Sequence, residues 1–481
     1  MSNFILTLRL DTERFQEDIL NKRLEISRQI YNACLGELYK RYNFMRQSKE
    51  YRKVSKMPKD KDRNKKFNEL NKKYGLTEYS LHAYVKPIQH VFKKNIDSMT
   101  AQKIATRCFN AFQKVMFHQA SKVKFKKYGE MNSVEGKSNS SGIRFKDNML
   151  FWNKLKIPVV IKKNDLYAQM ALENKVKYCR IVRKMIRGKY KFYLQLVIEG
   201  VPPIKLDKET GEVKHHRNEG RVGIDIGTQT VAIVSKNEAK LLELAPDLDN
   251  IEKEKRILQR KLDRQRRANN PHKYNENGTI KKSNEKWIES KKYLKTKNKL
   301  AELQRVIADK RKQEHNKLAN WVLSLGDEVY VETMNYKGLQ AKSKNTTINK
   351  NTGRFNSKKR FGKSLANKAP SMFLTILDNK LKWQNKELKK IDTYNIKASQ
   401  YNHIEDSYIK KGLSERWNDF GEFKIQRDLY SAFLIMCTKD CLKKTDREMC
   451  INEFGNFRML HDLEIERIKT NKSKLISSMG I

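Results

Sequence analysis

Three acidic residues, far apart in the chain, stand where carboxylates could share a metal ion. The first lies in Arg221-Val222-Gly223-Ile224-Asp225-Ile226-Gly227-Thr228. Side chains alternate along a strand, so Val222, Ile224 and Ile226 take one face while Gly223, Asp225 and Gly227 take the other. The pattern predicts a lone carboxylate on a surface cleared by glycines, open to close approach by a metal ion or a phosphate backbone. The second is Glu332, which ends the run Glu328-Val329-Tyr330-Val331-Glu332 on the side away from Val329 and Val331. The third is Asp428, early in a predicted helix whose Leu429, Ala432, Phe433 and Met436 point inward. The helix dipole favours a carboxylate there. Singly, an Asp at a helix start is an ordinary cap and a Glu at a strand end is ordinarily solvated. Together, two strands and a helix supply the shared carboxylate ligands that a two-metal phosphodiester site requires.

The elements that must position these residues follow from periodicity. Residues 4–10 alternate as a strand, and residues 12–46 carry a helical stripe of Leu20, Leu24, Tyr31, Cys34, Leu35, Leu38 and Tyr42. Residues 47–73 are basic and polar, a loop or a solvated helix; helix returns over 76–120. Short strands are predicted at 121–126, 143–152, 157–162, 178–185 and 191–199, a small antiparallel barrel that the first strand could complete. After a polar linker at 200–219, strands at 222–226, 230–235 and 240–244 form a meander. Two long charged helices (251–267 and 285–325) read as an exposed hairpin. A strand at 328–332, a helix at 366–387, a strand at 388–394 and a helix at 423–439 complete the fold, with a frayed tail from Lys469. The expected class is a multidomain α/β protein whose mixed-sheet core carries long helical insertions.

Charge indicates the partner. Lys and Arg total 103 against 55 Asp and Glu, a formal net charge of +48. Self-repulsion of this size is relieved by a polyanion, so nucleic acid is expected. A membrane surface would also attract the charge, but no apolar run approaches the ~18 residues of a membrane span. No signal peptide is read, because the first residues form a strand. Cys34, Cys108, Cys179, Cys437, Cys441 and Cys450 are scattered and include no Cys-x-x-Cys pair, so neither a disulfide framework nor a zinc ribbon is supported. Cys437 and Cys441 are expected in the core. The chain reads as cytoplasmic.

Gly223-Ile224-Asp225-Ile226-Gly227 resembles the first nuclease motif of the TnpB family, the transposon-encoded RNA-guided nucleases ancestral to type V CRISPR effectors. Val331-Glu332-Thr333-Met334-Asn335 with Lys337-Gly338 resembles the second, and Gln426-Arg427-Asp428-Leu429-Tyr430-Ser431-Ala432-Phe433 the third. The resemblance extends over most of the chain. It implies a RuvC-like, RNase H-fold nuclease preceded by a helical recognition module (12–120) and a wedge barrel (1–11 with 121–219). The nuclease would comprise 220–395 and 423–445, interrupted by a target-nucleic-acid-binding insert (396–422) and followed by a tail (446–481). It further implies catalysis and metal binding by Asp225, Glu332 and Asp428, two Mg²⁺ ions with Mn²⁺ able to substitute, and hydrolysis of DNA at one site. The partners would be an element-encoded omega RNA as guide and a double-stranded DNA target beside a short adjacent motif, read mainly by base pairing. The protein would be a monomer within a ribonucleoprotein in the cytosol or nucleoid.

This chain departs from the family twice. Tyr430 stands where the family often has Asn, and the interval from Asn335 to Gln426, where a zinc ribbon is usual, contains no cysteine. The lone His403 cannot hold a zinc ion, so no structural zinc is expected. The insert should fold instead on Tyr408, Leu413, Trp417 and Phe420. The same motifs suit a nuclease-dead RNA-guided repressor or a compact type V CRISPR effector. A repressor would be expected to lose an acid, and all three are present. Gly-Ile-Asp-Ile-Gly-Thr also resembles the phosphate loop of actin-like ATPases. No Gly-rich adenosine turn follows, and Asp419-Phe420-Gly421 is the lone Asp-x-Gly beyond Gly227.

From Asn335 to Pro370 there are ten basic residues and no acidic one. A segment so placed after Glu332 is expected to act as a lid that orders on phosphate, with a disordered linker as the plainer alternative. Lys337, Lys350, Arg354, Lys358, Lys359, Arg360, Lys363 and, beyond the lid, Arg427 are the candidate nucleic-acid contacts. Among the N-terminal aromatics Tyr31, Tyr39, Tyr42, Phe44, Tyr84 and Phe92, most should be core rather than base-stacking platforms.

Overall fold

The computed structural model describes residues 2–481 other than Lys208, Lys350, Arg354, Ser357, Lys359, Arg360, Lys411, Leu413, Ser414 and 471–478, and only the backbone of Asp249 and Asn250. The candidates Lys350, Arg354, Lys359, Arg360 and Leu413, and most of the expected tail, therefore lie outside the described residues. The chain divides into two units, Met1–Ile204 and Lys205–Ile481.

In the first unit, β1 (Asn3–Leu10) buries Phe4, Leu6, Leu8 and Leu10 and exposes the residues between them, as period-two alternation demands. Five helices follow: α1 (Arg14–Gln47), α2 (Lys49–Ser55), α3 (Lys61–Lys73), α4 (Glu78–Val91) and α5 (Ser98–Met116). Ser48, Asp60, Thr77 and Asp97 each cap the helix that follows by accepting a backbone N–H, a contribution of about 1 kcal/mol per cap. The basic stretch 47–73 is thus two solvated helices. Phe44 is exposed, whereas Tyr31 and Tyr42 lie in the core.

The remaining elements of this unit are β2 (Ser133–Glu135), β3 (Ile143–Lys146), β4 (Met149–Trp152), β5 (Leu155–Val160), α6 (Leu166–Leu172), β6 (Val176–Ile186) and β7 (Lys189–Glu199). The strands form one antiparallel sheet in the order β2-β6-β7-β1-β5-β4-β3. Strand β1 is central, paired with β7 on one side and β5 on the other. No ladder joins β2 to β3 among the described residues, so hydrogen bonds do not close the sheet into a ring, although β3, at the sheet's other end, approaches β6. The run read as one strand over 143–152 is a hairpin. Asp147 and Asn148, at φ 47° and 56°, make the two-residue turn whose twist matches the strands. Residues 121–126 form no strand. Side chains of α1 take their backbone groups instead: Asn32 bonds Lys126 N and O, and the Tyr39 hydroxyl bonds Val123 N and O.

The second unit contains β8 (Arg221–Ile226), β9 (Thr230–Ser235), β10 (Ala239–Glu243), α7 (Asp249–Asn269), α8 (Lys291–Leu325), β11 (Glu328–Glu332), α9 (Tyr336–Leu339), α10 (Gly362–Lys368) and α11 (Pro370–Lys382). It continues through β12 (Lys389–Ile391), β13 (Tyr401–Asn402), β14 (Ser407–Tyr408), β15 (Trp417–Asp419), β16 (Lys424–Gln426), α12 (Arg427–Met436) and α13 (Arg447–Thr470). A five-stranded mixed sheet runs β10-β9-β8-β11-β12. The meander β8-β9-β10 is antiparallel, while β11 lies parallel to both β8 and β12. Val222, Ile224, Ile226, Val329 and Val331 pack on Val322 and Leu323 of α8 and on Phe373 and Leu377 of α11. The opposite face, with Ala232, Val234 and Tyr330, packs on Leu429 and Phe433 of α12 and Phe457 of α13. The unit is therefore a helix–sheet–helix sandwich within a mixed α/β fold.

Several differences from the sequence reading have local causes. The helix expected over 366–387 breaks at Ala369, which takes a left-handed φ of 46° before Pro370 opens α11. The helix expected from 423 starts at Arg427, because Lys424–Gln426 pairs with Trp417–Asp419 and the Gln426 side chain caps Leu429 N. Helix α13 went unread, its apolar residues being spread around the helix, with Ile451, Met459 and Leu463 exposed, rather than gathered in one stripe. Met479, within the expected frayed tail, is buried. Cys441 is exposed rather than in the core, because α12 ends at Met436. All six cysteines are free. No helix among the described residues is long and apolar enough to cross a membrane.

Candidate active site

Register determines how the carboxylates meet. Val331 of β11 pairs with Ile224 of β8, so Glu332 and Asp225 follow side by side on neighbouring parallel strands, on the sheet face that α12 covers. Helix α12 then brings Asp428 in its first turn. Its approach depends on Gly223. A Cβ at that position would lie 2.0 Å from Ala432 O and 2.4 Å from Met436 N. The expectation of an open surface around Asp225 is therefore corrected at Gly223, where the missing side chain admits the backbone of α12 rather than a ligand. Gly227, by contrast, lines the opening.

Asp225, Glu332 and Asp428 all line one cavity of about 460 Å³, together with Thr228, Gln229, Gln400, Lys410, Arg416 and Arg427. Asp225 is held well above the ordinary carboxylate range, first by burial and then by the charges of Asp428 and Glu332, with Arg427 opposing. Burial also raises Glu332. Neither Asp225 nor Glu332 has a hydrogen-bond or ion-pair partner among the described residues. Asp428 has two: Arg427 Nε and Nη2, each 3.3 Å from Oδ1, and Arg416 Nη1, 3.7 Å from Oδ2. No three His, Cys, Asp or Glu side chains among the described residues converge closely enough to hold an ion. The carboxylates thus share a cavity without closing on one point. The donor chemistry nevertheless fits a hard divalent cation: oxygen atoms only, three acids in one opening, and two of them without an ion-pair partner among the described residues.

Arg416, Lys410 and Tyr336 went unread. The Tyr336 hydroxyl is buried without a hydrogen-bond partner among the described residues, and burial together with the Asp225 charge pushes it up to about 12. The available signal for Arg416 was the turn Asp419-Phe420-Gly421 between two short alternating runs, a hairpin that sets Arg416 beside Arg427. Of the other predicted contacts, Lys337, Lys358 and Lys363 are exposed on the segment after Glu332 and do not line the cavity. Lys368, one of the ten basic residues there, is buried and paired with Glu243 at 2.5 Å, so it offers no charge to a ligand. The carbonyls of Ala366 and Asn367 accept from Arg311, and His315 Nε2 lies 2.8 Å from Lys368 O, anchoring the segment's end to α8.

The insert is organised differently from the expectation. Tyr408 is exposed, while Trp417 and Phe420 are partly buried. At its centre is His403, 1% exposed, with Nδ1 2.7 Å from the Tyr430 hydroxyl and its ring 4.6 Å from that of Phe454. Burial, reinforced by Arg447, pushes this imidazole down to about 4, so it is neutral at physiological pH.

No protein-family model matches the chain. No curated protein matches it. Among solved structures, a chain of the "Cryo-EM structure of the Cas12f1-sgRNA-target DNA complex" aligns with 90% of this chain and 98% of its own length, at 11% identity and a TM-score of 0.41. At such values the likeness concerns the course of the backbone, and the reading of the site rests on the site's own geometry.

Proposed function

We propose that this protein is an RNA-guided DNA endonuclease of the TnpB type, hydrolysing phosphodiesters at one RuvC-like site. The observation that carries the reading is the gathering of Asp225, Glu332 and Asp428 on one cavity, on neighbouring parallel strands and the first turn of the covering helix. A three-stranded meander extended by two strands parallel to its first member supports an RNase H-like core. The three acids would hold the Mg²⁺ ions, which when bound supply an activated water and stabilise the leaving oxygen. The chain's own part is to fix the acids on rigid elements and to draw the strand in. The net charge of +48 steers a polyanion from a distance, and Lys410, Arg416 and Arg427 present cations within the same cavity. In this reading the helices of the first unit are the recognition module, its sheet is the wedge, and both grip a guide RNA encoded by the element.

The test is to sequence the RNA that co-purifies with the protein and to supply DNA matched to its variable end. A discrete species that directs cutting of the matched duplex, with no cutting by Asp225→Ala, is the expected result. Cutting that needs no RNA, or that survives in Asp225→Ala, would overturn the reading.

The segment after Glu332 gives a separate prediction. Replacing Lys358, Lys359 and Arg360 together with Gln should weaken DNA binding and reduce the steepness of its salt dependence. Each lost phosphate contact removes about 0.7–0.9 from the log–log slope. Unchanged cleavage and an unchanged slope would show that this segment is no lid.

A further inference from the structure

Asp428 is the one member of the acidic trio whose oxygens are already covered, and the covering groups are arranged by a dedicated element. The hairpin β15–β16 pairs Trp417 with Gln426, and just beyond this pair Arg427 N donates to Arg416 O at 2.9 Å. Two guanidinium groups are thereby set side by side at one carboxylate, Arg427 on Oδ1 and Arg416 on Oδ2. The hairpin itself is fastened inside: Gln426 N donates to His461 Nε2, and the Trp417 indole donates to Gly480 O. Contacts of 3.3–3.7 Å are loose for charge-assisted bonds, which close to about 2.7–2.9 Å when optimal. Arg427 also commits Nη1 to Glu415 O, whereas the Arg416 guanidinium has no polar partner except Asp428 among the described residues.

A guanidinium and a divalent cation compete for the same oxygens and repel each other. A phosphate offers the guanidinium fork a better-matched partner than this loosely held carboxylate. Resting on the nuclease reading above, we propose that Arg416, with Arg427 beside it, is a positioning residue that occupies Asp428 in the cation-free site and transfers to a DNA phosphate when a strand enters. Cation loading and strand binding then favour each other, and by linkage they do so by the same factor. The site acquires its full set of metal ligands when its substrate is present.

Mn²⁺ binding by the full-length protein, followed by electron paramagnetic resonance with and without a short single-stranded phosphorothioate DNA, tests this. The signal that persists in Asp225→Asn counts as nonspecific. In wild type, DNA should tighten the Asp225-dependent Mn²⁺ binding, and Mn²⁺ should tighten DNA binding equally. Arg416→Gln should bind Mn²⁺ roughly three- to fivefold tighter without DNA, the worth of a partly exposed ion pair. It should also lose most of the DNA-driven tightening and about one unit of the DNA salt slope. Arg416→Lys, which keeps the charge, should stay within about twofold of wild type for Mn²⁺. A merely structural Arg416 would not make one ligand bind tighter and the other weaker. If wild type binds Mn²⁺ through Asp225 but DNA leaves that affinity unchanged, or Arg416→Gln does, this proposal falls while the nuclease reading stands. If wild type shows no Asp225-dependent Mn²⁺, both fall. The wild-type coupling decides the matter even if Arg416→Gln fails to fold.

Discussion

Asp225→Asn is expected to lower DNA cleavage at least a thousandfold, about 4 kcal/mol of transition-state stabilisation, while making the cation-free protein more resistant to heat. The loss follows from removing a charged ligand at the middle of the trio. The gain follows from the wild-type carboxyl, which folding holds above its ordinary range by burial and by two neighbouring acids. A carboxyl raised in this way is protonated in the folded chain over a range where the unfolded chain has already ionised. Its favourable contribution is complete below the ordinary carboxylate range and drains away as pH climbs through the raised value. Wild type should therefore lose Tm with rising pH over that window, and Asp225→Asn should lose less. Divalent cation should raise the Tm of wild type and leave the variant nearly unmoved. Equal Tm values at all pH, with and without cation, would show that Asp225 is not an electrostatically strained ligand.

Gly223→Ala is the second large effect. The added methyl would meet Ala432 O and Met436 N at separations far inside van der Waals contact, and both are backbone atoms that cannot rotate aside. Helix α12 must lift from the sheet, away from the core that Leu429 and Phe433 make with Ala232 and Val234. The expected cost exceeds about 3 kcal/mol, above the usual range for overpacking because no side chain can yield. Cleavage should fall with it, since α12 carries Asp428. A thermal melt alongside a cleavage assay checks both. An Ala variant with wild-type Tm would mean that the helix does not rest on this strand.

Legibility in the sequence varied with the kind of cause. Strands such as β8 and β11 were readable because alternation is a local property, and the order of the meander followed from short loops. The role of Gly223 was not readable, since an approach by a helix some two hundred residues later leaves no local trace; the glycine looked like a vacancy for a ligand. The strand expected at 121–126 failed because Asn32 and Tyr39 of a distant helix satisfy its backbone. Arg416 was missed because its partner Arg427 becomes adjacent only when ten intervening residues fold back as β15–β16. The three acids were found by motif; their common cavity required the parallel register of β8 and β11, which the sequence implies only once the topology is known.

Tyr430, the residue at which the third motif departs from the pattern it resembles, lies two positions beyond Asp428 and is bonded through its hydroxyl to His403 of the insert. A side chain that looked like a weakened motif is thus a mechanical tie. The insert and the helix bearing Asp428 are yoked at one point, so under the proposed nuclease reading a strand held by the insert would load that helix directly. Under that reading, sensing the strand and aligning the blade would share one lever.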